Sequence, residues 1–311
     1  MTPPRYLIDE TNWWSGNLAA AMSGLRFAWR RRVDRAETGD RGQVSHGLFA
    51  PPVVPAPIYA VGPVRGEVTL LRKLVARILR DLPRRPRAGG LLDATGAPAG
   101  RRQPLADLVL LGNLTAGGSS GLDVLDCMAE IAAEPALRLT LLLGPQELHL
   151  RRFLAGECDG ERWLSEGGIS FLVAAGIEPR LDAAPDRLRK AVSALLGPRR
   201  ALLEGMPPSV TIGNVLLSHG GGAADRLLDA QDVEALVFGP SSGRQPRTDG
   251  IWTVHAGALR GEPLPNAGVI GLCSGAHYSQ RLVALRIDAD GGLGLLEVRD
   301  EPAPQETLAH R

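Results

Sequence analysis

The chain has 311 residues, of which 44% are hydrophobic and 22% are charged, and its formal net charge is +1. These values fit an ordinary globular protein that can bury a sizeable core, and the near-neutral charge gives no reason to expect a nucleic-acid partner. Cys127, Cys158 and Cys273 are widely spaced, without a disulfide or metal-binding pattern. Neither a signal-peptide core nor an apolar run of about 18 residues occurs. We therefore expect a cytoplasmic protein.

The first 57 residues predict an amphipathic helix followed by a proline-rich linker. Apolar residues recur at helical spacing after Asn17, a candidate N-cap, and the run ends at three arginines, residues 30–32. The pattern leaves open a helix packed on its own domain or on a second copy, a docking element for a protein, and, less favoured, a membrane-surface element. The candidate partner-binding residues are Trp13, Trp14, Leu18, Met22, Leu25 and Trp29.

Residues 58–298 alternate between apolar runs and helical patterns, which predicts a mainly parallel α/β sheet with a late stretch that is more purely β. The strands are expected at residues 58–61, 105–111, 137–143, 209–217, 251–255, 268–273 and 281–298. The helices are expected at residues 68–82, 122–133, 147–154, 185–204 and 223–236. Residues 83–104 predict a long basic loop, and residues 299–311 a C-terminal tail.

Five of the apolar runs end in glycine turns, the junctions at which α/β enzymes place their chemistry. These turns lie in residues 58–66, 110–118, 142–147, 216–221 and 252–257. Their order resembles that of the calcineurin-like metallophosphoesterases, specifically the bacterial serine/threonine protein phosphatase type. Residues 161–168 and 275–285 resemble two further segments of that family. The resemblance implies a four-layer αββα sandwich of two mixed β-sheets flanked by helices, with the site at the C-terminal ends of strands.

The first two family motifs have lost their metal ligands in this chain. In the motif Gly-Asp-x-His-Gly the Asp and the His bind metal, and here Pro63 and Arg65 stand in their places. In the motif Gly-Asp-x-x-Asp-Arg-Gly the first Asp bridges two metal ions, and here it is Asn113. Ala116 and Gly117 replace the second Asp and the phosphate-binding Arg.

The remaining three motifs keep few of the family's metal-binding and catalytic residues. In the motif Gly-Asn-His-Glu, Pro145 and Gln146 replace the ligand and the catalytic histidine. His219 retains the ligand histidine of the fourth motif. The fifth motif keeps its first histidine as His255, but Gly257 stands where the ligand histidine belongs. Two adjacent divalent cations need anionic ligands, so we expect no dinuclear metal site, no other cofactor and no catalytic residues.

Three functions stay open at this point. The first is a catalytically inactive homologue, or pseudophosphatase, that acts as a protein-binding, scaffolding or regulatory subunit. The second is an active phosphoesterase with a rearranged metal site. The third is a sensor of a phosphorylated metabolite, in which Arg65 and His219 bind the anion in the old pocket.

Several residues also have structural interpretations. Arg65 is expected to pair with Glu67 or Glu147, and His219 to bond the backbone. Glu147 is expected to anchor the N-terminus of its own helix. His277 and Tyr278 are expected to pack in the closing strands.

Overall fold

The computed structural model describes residues 49–82, 103–115, 117–118, 120–178, 184–241, 243, 245–258 and 268–300. The predicted N-terminal helix, with all six partner-binding candidates, lies outside these residues. So do Ala116, nearly all of the 83–104 loop and the tail beyond residue 300.

The first sheet has five strands in the order β3-β2-β1-β8-β9. Strands β1, β2 and β3 are parallel, whereas β8 and β9 are antiparallel to their neighbours. The strands are β1 (Ile58–Val61), β2 (Ala106–Leu110), β3 (Leu137–Leu141), β8 (Arg281–Ile287) and β9 (Leu293–Arg299). Every residue of β1 and β2 is buried, as expected for central strands covered on both faces.

The second sheet has four strands in the order β4-β5-β6-β7, and it is also mixed. An antiparallel β4–β5 pair adjoins the parallel strands β5, β6 and β7. The strands are β4 (Ser209–Ile212), β5 (Val215–Ser218), β6 (Trp252–Ala258) and β7 (Val269–Cys273). The expected pair of mixed sheets is therefore confirmed.

Nine α-helical segments are present among the described residues. They are α1 (Val68–Asp81), α2 (Gly121–Ala132), α3 (Pro145–Ala155), α4 (Glu161–Trp163), α5 (Ile169–Ala174), α6 (Pro185–Leu196), α7 (Arg200–Glu204), α8 (Val233–Val237) and α9 (Ala276–Ser279). A π-helical turn, Leu164–Gly168, joins α4 to α5. None of the described helices is long and apolar enough to cross a membrane.

Two apolar clusters form the core. One lies between the outer face of the first sheet and its helices, where α1 contributes Leu70, Leu71, Leu74, Val75 and Ile78 from one broad face. The other lies between the two sheets and contains residues of β1, β2 and β8 together with residues of β5, β6 and β7. Stacking the sheets in this way aligns the C-terminal ends of β1, β2, β3, β5 and β6 with one another.

Residues 49–57, which the sequence assigns to a linker, pack against the second sheet. The ring of Phe49 meets that of Trp252 edge-on, with centroids 5.7 Å apart. The indole of Trp252 also donates to the carbonyl of Ala50 at 2.9 Å, and Val54 is buried between the sheets. This proline-rich segment is thus part of the packed structure.

Three predicted elements differ from the structure. Residues 185–204 divide into α6, a 3₁₀ turn (Gly197–Arg199) and α7, where one helix was expected. Residues 209–217 form the β4–β5 hairpin, because Gly213 adopts a φ of 59° and reverses the chain. Residues 223–236 contain only a 3₁₀ turn (Leu228–Ala230) and the short α8, where one helix was expected. The side chains of Gln231 and Arg247 donate to the carbonyls of Ala223 and Arg226, and these bonds replace those of a helix.

Candidate functional site at the ends of the strands

The glycine turns that follow β1, β2 and β3 lie in direct contact with one another. A Cβ atom added to Gly66 would lie 3.0 Å from the backbone of Gly118, and one added to Gly112 would lie 2.6 Å from the amide nitrogen of Gly144. A Cβ on Gly62 would lie 2.0 Å from the carbonyl oxygen of Leu272 in the second sheet. The structure therefore brings together the loops that sequence order placed at one site.

Glu147 joins two of these loops from a fully buried position at the start of α3. Its carboxylate accepts the backbone N–H groups of Asn113 and Leu114, both at 2.8 Å, and that of Gly144 at 3.2 Å. Burial raises the pKa of the Glu147 carboxyl, while these N–H bonds act in the opposite direction. The predicted anchoring of the helix N-terminus is confirmed. The two bonds to the loop after β2 are an additional role that the sequence did not indicate.

The side-chain oxygen of Asn113, which the sequence resemblance sets at the position of a bridging carboxylate, already has a backbone partner. That oxygen accepts the backbone N–H of Gln146 at 3.1 Å, and the residue is buried. The Gln146 amide donates to the carbonyl of Glu166 at 2.7 Å, while its own buried oxygen has no hydrogen-bond partner among the described residues. Both side chains thus hold the loops in place.

Arg65 occupies a strained backbone position beside Gly117. Its φ is 52°, in the left-handed region, and its N–H donates to the carbonyl of Asn113 at 3.0 Å. A Cβ added to Gly117 would lie 3.7 Å from Nη1 of Arg65, which places the guanidinium over this glycine. The expected pairing with Glu67 or Glu147 is not observed, because the Glu147 carboxylate is occupied by backbone groups. Among the described residues, Arg65 has no carboxylate partner.

His277 is a neighbour of Arg65 that the sequence did not identify. Burial, and secondarily the charge of Arg65, lowers the pKa of its imidazole to about 4. Its Nδ1 is buried and has no partner among the described residues. The adjoining Tyr278 is 84% exposed, so the expectation that it packs in the closing strands is wrong. Both residues lie in α9, a short turn between β7 and β8.

The two retained histidines are engaged by the backbone. Nδ1 of His219 lies 2.6 Å from the carbonyl oxygen of Leu111 and donates to it, which confirms the expected backbone bond. The His255 ring is buried, and its Nδ1 accepts the N–H of Gly257 at 2.9 Å. Gly257 lies where the register of β6 against β7 shifts, and Pro63 is buried in the first loop.

These residues do not fit a pair of divalent cations. At the positions that the resemblance assigns to ligands, the Asn113 oxygen accepts a backbone N–H and His219 bonds a backbone carbonyl through Nδ1, while Pro63 and Gly257 offer no side-chain donor. Arg65 adds a positive charge. No three His, Cys, Asp or Glu side chains of the described residues group closely enough to hold a metal ion. What the arrangement offers chemically is an arginine beside a glycine loop, with a neutral imidazole near it.

Comparison with known proteins gives only distant similarities. No family model and no curated protein matches the sequence. One solved structure, of a candidate diadenosine tetraphosphatase, is 17% identical with a TM-score of 0.47, covering 80% of this chain and 98% of its own. A serine/threonine phosphatase from Saccharomyces cerevisiae, with similarity to human phosphatase PP5, is 13% identical with a TM-score of 0.46, covering 82% and 86%. Identities and TM-scores this low show nothing about the activity or the substrate of this chain.

Proposed function

We propose that this chain is a catalytically inactive relative of the metallophosphoesterases that works by binding, as a scaffolding or regulatory subunit in the cytosol. One observation carries the proposal. The loops that meet at the ends of the strands are held by Glu147, Asn113 and Gln146, whose polar groups bond backbone instead of facing a substrate. A site whose polar side chains are committed to its own loops lacks the anionic ligands of a two-metal centre.

Metal content and hydrolysis test this proposal together. The protein is incubated with Mn²⁺, Fe²⁺ or Zn²⁺, desalted and assayed for bound metal, and then for hydrolysis of an aryl phosphate. We expect substoichiometric metal and no turnover above the protein-free rate. Stoichiometric metal with metal-dependent turnover that His219→Ala abolishes would instead establish the rearranged-site phosphoesterase.

The helix predicted for the N-terminal segment is our first candidate for the surface that binds a protein partner or a second copy. Its apolar stripe, from Leu18 to Leu25 and beyond, supports this proposal. Sedimentation of the full chain distinguishes the cases. A homo-oligomer that dissociates in the Leu18→Asp, Leu25→Asp variant supports self-association. A monomer that co-sediments with anionic vesicles, and loses that binding in the same variant, would indicate a membrane surface.

Arg65 favours a second candidate function, the binding of a phosphorylated metabolite. An arginine at a φ of 52° is strained relative to glycine, and no described carboxylate neutralises it. Guanidinium groups bind phosphate oxygens with two parallel hydrogen bonds, and His277 adds a neutral imidazole beside it. A phosphoryl group over Gly117 would relieve the unpaired charge of Arg65.

Thermal denaturation with phenyl phosphate tests this second candidate. A ligand present at 100 times its dissociation constant stabilises by about 2.7 kcal/mol. We expect a rise in Tm that Arg65→Ala removes and Arg65→Lys reduces, because lysine keeps the charge but loses the planar fork. A rise that persists in Arg65→Ala would place the anion elsewhere, and no rise at any concentration would reject the candidate.

A further inference from the structure

Strand β9 has an open edge. It pairs with β8 on one side and with no strand of the described part of the chain on the other. The carbonyl of Glu297 points to this open side, since Nη1 of Arg77 donates to it there at 2.8 Å. In a strand the carbonyls of every second residue point the same way, so those of residues 295 and 299 face the open side too.

A strongly basic groove of about 750 Å³ runs along this edge, between α1 and β9. It is lined by five cationic side chains and one carboxylate: Arg72, Lys73, Arg77, Arg80, Arg299 and Glu297. Arg72, Lys73 and Arg299 pair with Glu130, Asp300 and Glu297 respectively. Arg77 bonds only a backbone carbonyl, and Arg80 has no carboxylate partner among the described residues. The groove therefore keeps an excess of positive charge.

The side chains of β9 define what a strand beside it would face. Leu296 and Val298 pack on the helix side of the sheet, whereas Leu293 and Leu295 pack on the side of the second sheet. A strand added to β9 would follow the same alternation. Every second side chain would point toward Lys73, Arg77 and Arg80 on α1, and the others would extend the apolar layer between the sheets.

We propose that this groove binds an extended segment of a partner protein, in which acidic and apolar residues alternate, as an added strand on β9. The proposal rests on the binding function proposed above, for which it names a partner chemistry. An N–H of the guest strand takes the place of Arg77 on the Glu297 carbonyl. The freed guanidinium then joins Arg80 and Lys73 in pairing with the guest carboxylates. Strand addition supplies affinity through the backbone, and the alternating side chains supply specificity.

Two other occupants fit the groove less well. A second copy of this chain paired through β9 would bring the cationic α1 helices of both copies together, and like charges at close range repel. A nucleic acid would find the positive charge but has no N–H and C=O ladder to complete the strand edge.

The test uses the full chain and labelled peptides of seven residues, the length of β9. One peptide alternates Glu and Val, a second alternates Lys and Val, and a third is the Glu-Val peptide with alternate backbone amides methylated. By fluorescence anisotropy we expect the first to bind and the second not to. The third should bind at least about tenfold more weakly, since its backbone cannot complete the ladder.

Charge variants locate the site. Arg80→Glu should lower the affinity for the Glu-Val peptide at least about fivefold. Arg187→Glu should leave that affinity unchanged, because Arg187 is an exposed residue of α6 whose side chain has no described partner. Equal binding of the methylated peptide, equal effects of the two variants, or no binding of any peptide would each overturn strand addition. The hydrolysis assay and the peptide assay test the two proposals separately. Turnover of the aryl phosphate would reject the inactive-subunit proposal but would not change peptide binding, whereas loss of peptide binding would reject strand addition alone.

Discussion

The three N–H bonds to Glu147 predict that this residue contributes more to stability than any exposed acid of the chain. Glu147→Gln keeps the size of the side chain and one carbonyl oxygen. The new NH₂ group, however, must face at least one of the three N–H donors that the carboxylate accepts. One donor facing another in a buried site costs about 1–3 kcal/mol, and each remaining bond falls from a charged to a neutral acceptor, a loss of about 1 kcal/mol. The expected decrease in the free energy of unfolding is therefore about 3–5 kcal/mol.

Urea denaturation of the wild type and two variants measures this decrease. Glu157→Gln is the matched control, because Glu157 is exposed just beyond α3 and its side chain has no described partner. Its expected change is within about 0.5 kcal/mol. A decrease below about 1 kcal/mol for Glu147→Gln would refute the reasoning, since it would mean that water or a loop shift satisfies the N–H groups at little cost.

Two further predictions concern the same site. His277 should titrate at about 4 by NMR of its imidazole protons, and Arg65→Ala should raise that pKa only in part, because burial is the larger cause. The pKa of His277 in the folded protein lies below the unfolded value of 6.5. The neutral imidazole therefore contributes stability above pH 6.5, and this stability is lost as the pH falls toward 4. An unchanged His277 pKa in Arg65→Ala would mean that the guanidinium lies away from the ring. Gly112→Ala should destabilise by about 2–4 kcal/mol, because the methyl group meets the backbone of Gly144 and φ is 79°. Gly250→Ala, with a φ of 78° and open space around it, should cost only about 1–2 kcal/mol, and equal losses would show that strain alone decides both.

The sequence predicted those parts of the fold that depend on local patterns. Continuous apolar runs located β1, β2 and β3, and the glycine turns behind them located the loops that meet. Gln146 could not be placed in the same way. The resemblance set it opposite a catalytic histidine, but its bond to Glu166 depends on the path of the chain through the π-helical turn.

The missed features depend on contacts between residues far apart in sequence. Residues 223–236 have enough helical periodicity to predict a helix, yet Arg247, from a later loop, bonds the carbonyls that a helix would use. Likewise nothing local to His277 indicates that Arg65 lies beside it, because α9 reaches the site from between β7 and β8. Periodicity reports the conformation that a segment prefers in isolation. In both places, contacts with residues distant in sequence decide the structure instead.

The glycine turns and the polar side chains of the site answer to different physical demands. Gly62, Gly66, Gly112 and Gly144 are required wherever these loops touch, because an added Cβ would meet backbone atoms at 3.0 Å or less. The fold needs them whether or not chemistry occurs between the loops. Arg65 is the opposite case, since its φ of 52° suits glycine and strains an arginine by about 1–2 kcal/mol. The N–H groups of Arg65 and Gly66 donate to the carbonyls of Asn113 and Leu114, so contacts between the loops hold this backbone conformation whatever the side chain is. The anion-binding role proposed for the guanidinium would be the reason for an arginine rather than a glycine at this position.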